Sequence, residues 1–172
     1  MTAEYLAGLL DGEGTFQLQI QFRKTSGRFQ INARVQIGFK HLPEEEILIK
    51  KIQKHFQAGG IYFTSGIVRF STTNVDDTIK VCKFVYPYLQ LKKEQCKKLL
   101  WVAELVKSKK SLRYIKGFKT TSFDIYSKEE MIKIVTISTT MNEGKQSGKY
   151  RNSRGRDTKY YIDKINEIYK KE

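Results

Sequence analysis

Leu6-Ala7-Gly8-Leu9-Leu10-Asp11-Gly12-Glu13-Gly14 decides how this 172-residue chain folds, and it runs directly into the alternation Thr15-Phe16-Gln17-Leu18-Gln19-Ile20-Gln21-Phe22-Arg23. A short apolar helix carrying small residues is predicted to end in an acidic turn flanked by glycines, which feeds a strand. Ala7 and Gly8 have almost no side chain, so a second backbone can pack closely there. Gly12 and Gly14 free the turn to take unusual dihedrals. Glu13 is thereby held between two rigid elements, a placement that suits a metal ligand.

Outward from the turn, Phe16, Leu18, Ile20 and Phe22 point one way while Gln17, Gln19, Gln21 and Arg23 point the other. Lys24-Thr25-Ser26-Gly27 reads as a turn. A second strand then sends Phe29, Ile31, Ala33, Val35, Ile37 and Phe39 inward, and Arg28, Gln30, Asn32, Arg34, Gln36 and Lys40 outward. Alternation this long marks a sheet with one covered and one open face. The open face holds Gln, Asn and Arg with no acid. Those are the side chains that pair bidentately with adenine and guanine edges, and a two-stranded ribbon fits the major groove.

Composition agrees. Lys and Arg total 32 against 18 Asp and Glu, a formal net charge of +14, which draws the chain to a polyanion. Membranes, the other polyanion, are set aside: there is no basic amphipathic anchor, lipidation signal or spanning apolar run. Cys82 and Cys96 are too few for a disulfide framework or zinc cluster and read as small buried residues in helices. Met1-Thr2-Ala3-Glu4 enters the first helix at once, leaving no room for a targeting peptide.

Further along, Pro43 and Glu44-Glu45-Glu46 open a helix with Ile47, Leu48, Ile52 and Phe56 at helical spacing, stopped by Gly59-Gly60. A second hairpin, 61–64 and 67–72, turns at Ser65-Gly66, with Arg69 on the same side as the Gln and Arg rows. Asn74 caps a helix that Pro87 terminates. A long helix over 93–110 follows. Beyond Lys107 the chain turns basic and irregular (Lys107, Lys109, Lys110, Arg113, Lys116, Lys119). Ser127-Lys128-Glu129-Glu130 is a capping box, 144–156 is a loop rich in Gly, Ser, Lys and Arg, and a last helix begins at Asp157 or Thr158. Residues 1–110 read as the core domain and 111–172 as basic loops and helices packed on it.

The nonapeptide resembles the signature of the LAGLIDADG homing endonucleases, which cut long DNA sites with divalent metal. Leu6, Ala7, Gly8, Leu9, Asp11 and Gly14 match the family name outright, Leu10 replaces Ile, and Gly12-Glu13 replaces Ala-Asp, a variant the family commonly shows. The element order αββαββα is also the family's core order. The resemblance therefore implies an α+β fold, an αββαββα core with a saddle-shaped antiparallel sheet and extra C-terminal helices. A single motif copy points to the homodimeric branch. Two chains would meet through Leu6, Ala7, Gly8 and Asp11, bringing two Glu13 carboxylates together, with the Gly12 carbonyl, DNA phosphates and water completing a metal shell. For Asp11 the rival role is to cap or brace the turn.

Tyr86-Pro87-Tyr88-Leu89-Gln90-Leu91-Lys92-Lys93 resembles the segment in which the family places a lysine near the scissile phosphates, here Lys92; the alternative is a solvated helix-start lysine. Where the family often carries a Thr-Gln pair and an Arg, this chain has Gly38-Phe39-Lys40-His41, so that carry-over fails, and Lys40 and His41 are the candidate substitutes. The implied function is a site-specific double-strand DNA endonuclease using Mg²⁺, with Mn²⁺ able to substitute and Ca²⁺ supporting binding without cleavage, and no small-molecule cofactor. DNA contacts fall to Gln17, Gln19, Gln21, Arg23, Lys24, Arg28, Gln30, Asn32, Arg34, Gln36 and Arg69, and to Lys149, Arg151, Arg154 and Arg156 of the basic loop. A strand of about ten residues spans roughly ten base pairs, so a dimer covers a pseudo-palindrome of roughly 20. The alternative is a cleavage-deficient intron maturase or DNA-binding regulator; a monomeric RNA-binding module would instead expose aromatics on the sheet. Abundant Lys, Ile, Tyr and Asn hint at an AT-rich gene and, with the resemblance, an organellar intron.

Overall fold

The computed structural model describes residues 1–23, 28–109, 125–141 and 158–170. Lys24 and its turn, Lys110, Arg113, Lys116, Lys119, the 144–156 loop with Lys149, Arg151, Arg154 and Arg156, and the side chain of Arg28 lie outside them. In chain order come α1 (Ala3–Glu13), β1 (Gly14–Arg23), β2 (Arg28–Lys40), α2 (Pro43–Phe56), β3 (Gly60–Thr64), β4 (Ile67–Ser71), α3 (Val75–Val85), a 3₁₀ turn (Tyr86–Tyr88), α4 (Lys93–Ser108), α5 (Lys128–Thr140) and α6 (Thr158–Tyr169). The strands form one antiparallel sheet in the order β1-β2-β4-β3. The αββαββα order and the α+β class are both observed.

Two compact units divide the chain. The first comprises Met1–Leu18 and Asn32–Lys107. On its sheet, Phe16, Leu18, Val35, Ile37, Val68 and Phe70 are buried, as are Leu6, Ala7 and Leu10 of α1 and Ile49, Ile52 and Phe56 of α2. In α2 the inward stripe is thus 49, 52 and 56, and Ile47, expected inside, is 52% exposed. The helix stops on Gln57 in the left-handed region (φ 46°) rather than on a glycine. Ser65 and Gly66 both have positive φ, so the β3–β4 hairpin closes with the two-residue turn whose twist suits paired strands. Asn74 caps α3 by accepting from the Asp77 N–H at 2.9 Å. Buried Thr78 ties α3 to the sheet: its hydroxyl lies 2.8 Å from that of Thr72 and 2.9 Å from the Ala33 carbonyl. The Thr72 hydroxyl in turn accepts from the Val35 N–H at 3.0 Å.

Gln19–Ile31 and Ser108–Glu172 make up the second unit. Phe22 and Phe29 pack with ring centroids 5.1 Å apart, and Tyr161 of α6 lies beside Phe29 and donates its hydroxyl to the Ile20 carbonyl at 3.0 Å. The predicted capping box at α5 is present in both directions, Glu130 N–H to Ser127 Oγ at 3.1 Å and Ser127 N–H to Glu130 Oε2 at 2.8 Å. Among the described residues no helix is long and apolar enough to cross a membrane.

Candidate active site and nucleic-acid face

The acidic turn is where α1 becomes β1. Thr2 caps the helix start, its hydroxyl accepting from the Tyr5 N–H at 3.3 Å, and the Gly14 N–H closes the helix end on the Leu10 carbonyl. That junction is so tight that a Cβ on Gly14 would lie 2.4 Å from Leu10 Cδ2 and 2.7 Å from both Leu10 Cα and its carbonyl oxygen. Close approach, rather than an unusual φ, is what demands glycine here. Gly8 and Gly12 differ: a Cβ on either would meet nothing within 4 Å. Glu13, the last residue of α1, is exposed.

Asp11 and Lys92 hold this turn reciprocally. The Asp11 carboxylate accepts the Gln90 N–H at 2.7 Å on Oδ2 and the Lys92 N–H at 2.8 Å on Oδ1. In return, the Lys92 side chain reaches back beneath α1. Its ammonium donates to the carbonyls of Leu10 at 2.9 Å, Gly12 at 3.2 Å and Gly14 at 2.7 Å. A helix C-terminus leaves carbonyls without intrahelical partners and carries partial negative charge, and an ammonium has three protons to give. Three carbonyls therefore compensate a cation whose residue is only 7% exposed.

Several expectations are corrected by this geometry. Leu6 and Ala7, expected to meet a second chain, are wholly buried in their own protomer. Helical spacing turns 6, 7 and 10 inward and leaves Tyr5, Gly8, Leu9 and Gly12 on the other side, with Tyr5 50% exposed. Asp11 takes the bracing role, one N–H of the 90–92 segment on each of its oxygens. Lys92 is not a solvated lysine. Lys40 is exposed at the end of β2. The His41 Nε2 sits 2.7 Å from Glu46 Oε2, its ring 4.9 Å from that of Phe63. Glu46 also pairs with Lys50 at 2.5 Å; these two bonds, Lys50's first, hold its carboxyl below the usual carboxylate value.

On the open face of the first unit, strand register decides which side chains lie together. Arg69 pairs with Gly38 on one side and with Tyr62 on the other. Cross-strand partners share a face, so Arg69 joins the row of Asn32, Arg34 and Gln36, as expected. A Cβ at Gly38 would stand 3.5 Å from Arg69 Nε, an ordinary contact, so the Arg69 side chain lies over Gly38. Gln36 shares its amide with Ser71 Oγ at 3.2 Å. Tyr62, 49% exposed, is a member of this face that the sequence reading missed when it placed the sheet aromatics inward. Its signal was available: a two-residue turn at 65–66 forces 62 opposite 69. In the second unit Gln19, Gln21 and Arg23 alternate with buried Ile20 and Phe22.

No group of three or more His, Cys, Asp or Glu side chains lies together among the described residues. One chain offers the Glu13 carboxylate and the Gly12 carbonyl, whose second lone pair remains for a ligand beside the Lys92 ammonium. These are hard oxygen donors that fit Mg²⁺ or Ca²⁺, and one chain supplies too few of them to fill a cation's shell.

The single chain thus presents an exposed carboxylate on a braced helix end and strands bearing amides and guanidinium groups. The chain belongs to the LAGLIDADG endonuclease family, which it matches over residues 6–116. It is a divalent-metal-dependent DNA endonuclease. Among solved structures it is similar to the archaeal intron-encoded homing endonuclease I-Vdi141I complexed with DNA, at 17% identity over 96% of this chain and 94% of that one, with a TM-score of 0.73. It is also similar to the homing endonuclease I-CvuI, whose complex with the I-CreI target in 2 mM Mg holds uncleaved DNA (17% identity, 97% and 94% covered, TM-score 0.69). A third is the homing endonuclease I-TnaI (18% identity, 98% of both chains, TM-score 0.67). At these identities the likeness is one of fold. No curated protein matches.

Proposed function

We propose that two copies of this chain meet through the Tyr5, Gly8, Leu9 and Gly12 side of α1 and cut one phosphodiester per strand of a pseudo-palindromic DNA site of roughly 20 base pairs. The observation that carries this reading is the exposed Glu13 at the end of a helix whose neighbouring glycines leave open space. A twofold axis along that side brings the two Glu13 carboxylates together, each with its Gly12 carbonyl, to hold Mg²⁺. Bound there, the metal supplies Lewis acidity at the phosphate and a more acidic attacking water. Mn²⁺ substitutes, and Ca²⁺ supports binding without cutting. The protein's own work is positioning: Gln17, Gln19, Gln21, Arg23, Gln30, Asn32, Arg34, Gln36, Tyr62 and Arg69 take up the major groove and set the strand register over the turn. Lysine-rich composition supports an origin in an organellar intron.

Incubating the protein with DNA from its insertion locus in Mg²⁺ and in Ca²⁺ tests this. Nicking of both strands in Mg²⁺ and binding alone in Ca²⁺ are expected; Glu13→Gln should bind and not cut. A Glu13→Gln protein that still cuts removes Glu13 from the metal. Wild-type binding without nicking in any metal favours the cleavage-deficient alternative.

A further inference from the structure

The contacts of Lys92 place it differently from a phosphate-contacting lysine. All three carbonyls it meets belong to the peptide units around Glu13, from Leu10 to Gly14, and the segment carrying it is itself pinned by Asp11. We propose that Asp11 and Lys92 are positioning residues that act through one another, the Asp11 carboxylate seating the 90–92 backbone so that the Lys92 ammonium fixes the carbonyl end of α1 and with it the Glu13 carboxylate. This rests on the reading of Glu13 as a metal ligand.

Each half of the lock is incomplete alone. Among the described residues Asp11 bonds to the Gln90 and Lys92 N–H groups; its effect on Glu13 travels through where the Lys92 side chain starts. The ammonium, held from the opposite side of the turn, prevents the last peptide units of α1 from unwinding, which is how terminal helix turns fray. Unwinding there would swing Glu13 away from Gly12. Supports of this kind, one contact removed from a ligand, typically change metal affinity or activity by about 10- to 100-fold when deleted.

Two measurements on Asp11→Asn, Lys92→Met and the double variant test the lock, with Glu13→Gln alongside. In the free protein, amide hydrogen exchange at Gln90 and Lys92 should quicken by about tenfold or more in Asp11→Asn, since an amide group presents a donor to one of the two N–H groups. In single-turnover cleavage, the Mg²⁺ concentration for half-maximal rate should rise about tenfold in each single variant, the deficit shrinking as Mg²⁺ is raised, and the double variant should be no worse than Lys92→Met. DNA affinity in Ca²⁺ should stay within about threefold of wild type. An unchanged Mg²⁺ requirement with a rate lowered at saturating Mg²⁺ overturns the proposal, because the lysine then acts on the phosphate. So does Asp11→Asn with unaltered amide exchange. Should Lys92→Met not fold, Asp11→Asn alone decides by the same two readouts. Cutting by Glu13→Gln signals instead that the metal reading has failed, whatever the amides show.

Discussion

Replacing Gly14 by alanine adds one methyl group at the point where helix becomes strand. That carbon would sit 2.7 Å from the backbone of Leu10, and backbone cannot rotate aside as a side chain does. The junction must open by several tenths of an ångström, and the Gly14 carbonyl, 2.7 Å from the Lys92 ammonium, moves with it. Overpacking of this sort costs about 1–3 kcal/mol, and weakening a hydrogen bond to a charged group about 1.5–3 more, so a total of about 3 kcal/mol is reasonable. With a urea slope of about 2 kcal/mol/M, the unfolding midpoint should fall by roughly 1.5 M. Gly8→Ala is the companion variant: its Cβ meets nothing within its own protomer, so a loss of stability there reports on the face proposed to meet the second copy rather than on the chain's own packing. Both melts belong at one protein concentration, because dimer formation contributes to stability. A Gly14→Ala midpoint within about 0.3 M of wild type would refute the argument that close approach fixes this glycine.

Thr78→Val should destabilise by about 1–3 kcal/mol in urea, since it strips partners from a buried hydroxyl network joining α3 to β2; a neutral result would show that the network is dispensable. Glu46, held below the ordinary carboxylate value, contributes stability that is present above that value and lost as pH falls through the lowered one. Wild type should therefore lose more melting temperature than Glu46→Gln between about pH 6 and pH 3, and equal losses would count against the pairing. The Cys82 thiol is pushed up by its hydrogen bond with Cys96 and by burial; both cysteines should resist a thiol reagent in the native protein and react together in denaturant.

Much of this architecture was legible from local rules. Period-two alternation exposed both long strands, Asn74 and Ser127 announced their helices, and Ser65-Gly66 named its turn. Where an expectation missed, the reason was distance along the chain or a helical face chosen by packing. Leu6 and Ala7 look like interface residues because they are apolar and small, yet which face of α1 meets the protomer's own core depends on neighbours supplied later. Asp11 and Lys92 find each other across 81 residues, and no periodicity connects them. Tyr62 was hidden for a smaller reason: the strand is short, and only pairing it with Arg69 reveals its side.

That separation between Asp11 and Lys92 has a consequence for biosynthesis. The motif is made about 80 residues before its brace, which arrives only when the chain has grown past residue 92, and closing so long a loop carries an entropic cost. A nascent or clipped chain ending before Lys92 carries the whole acidic nonapeptide and still lacks a finished catalytic edge.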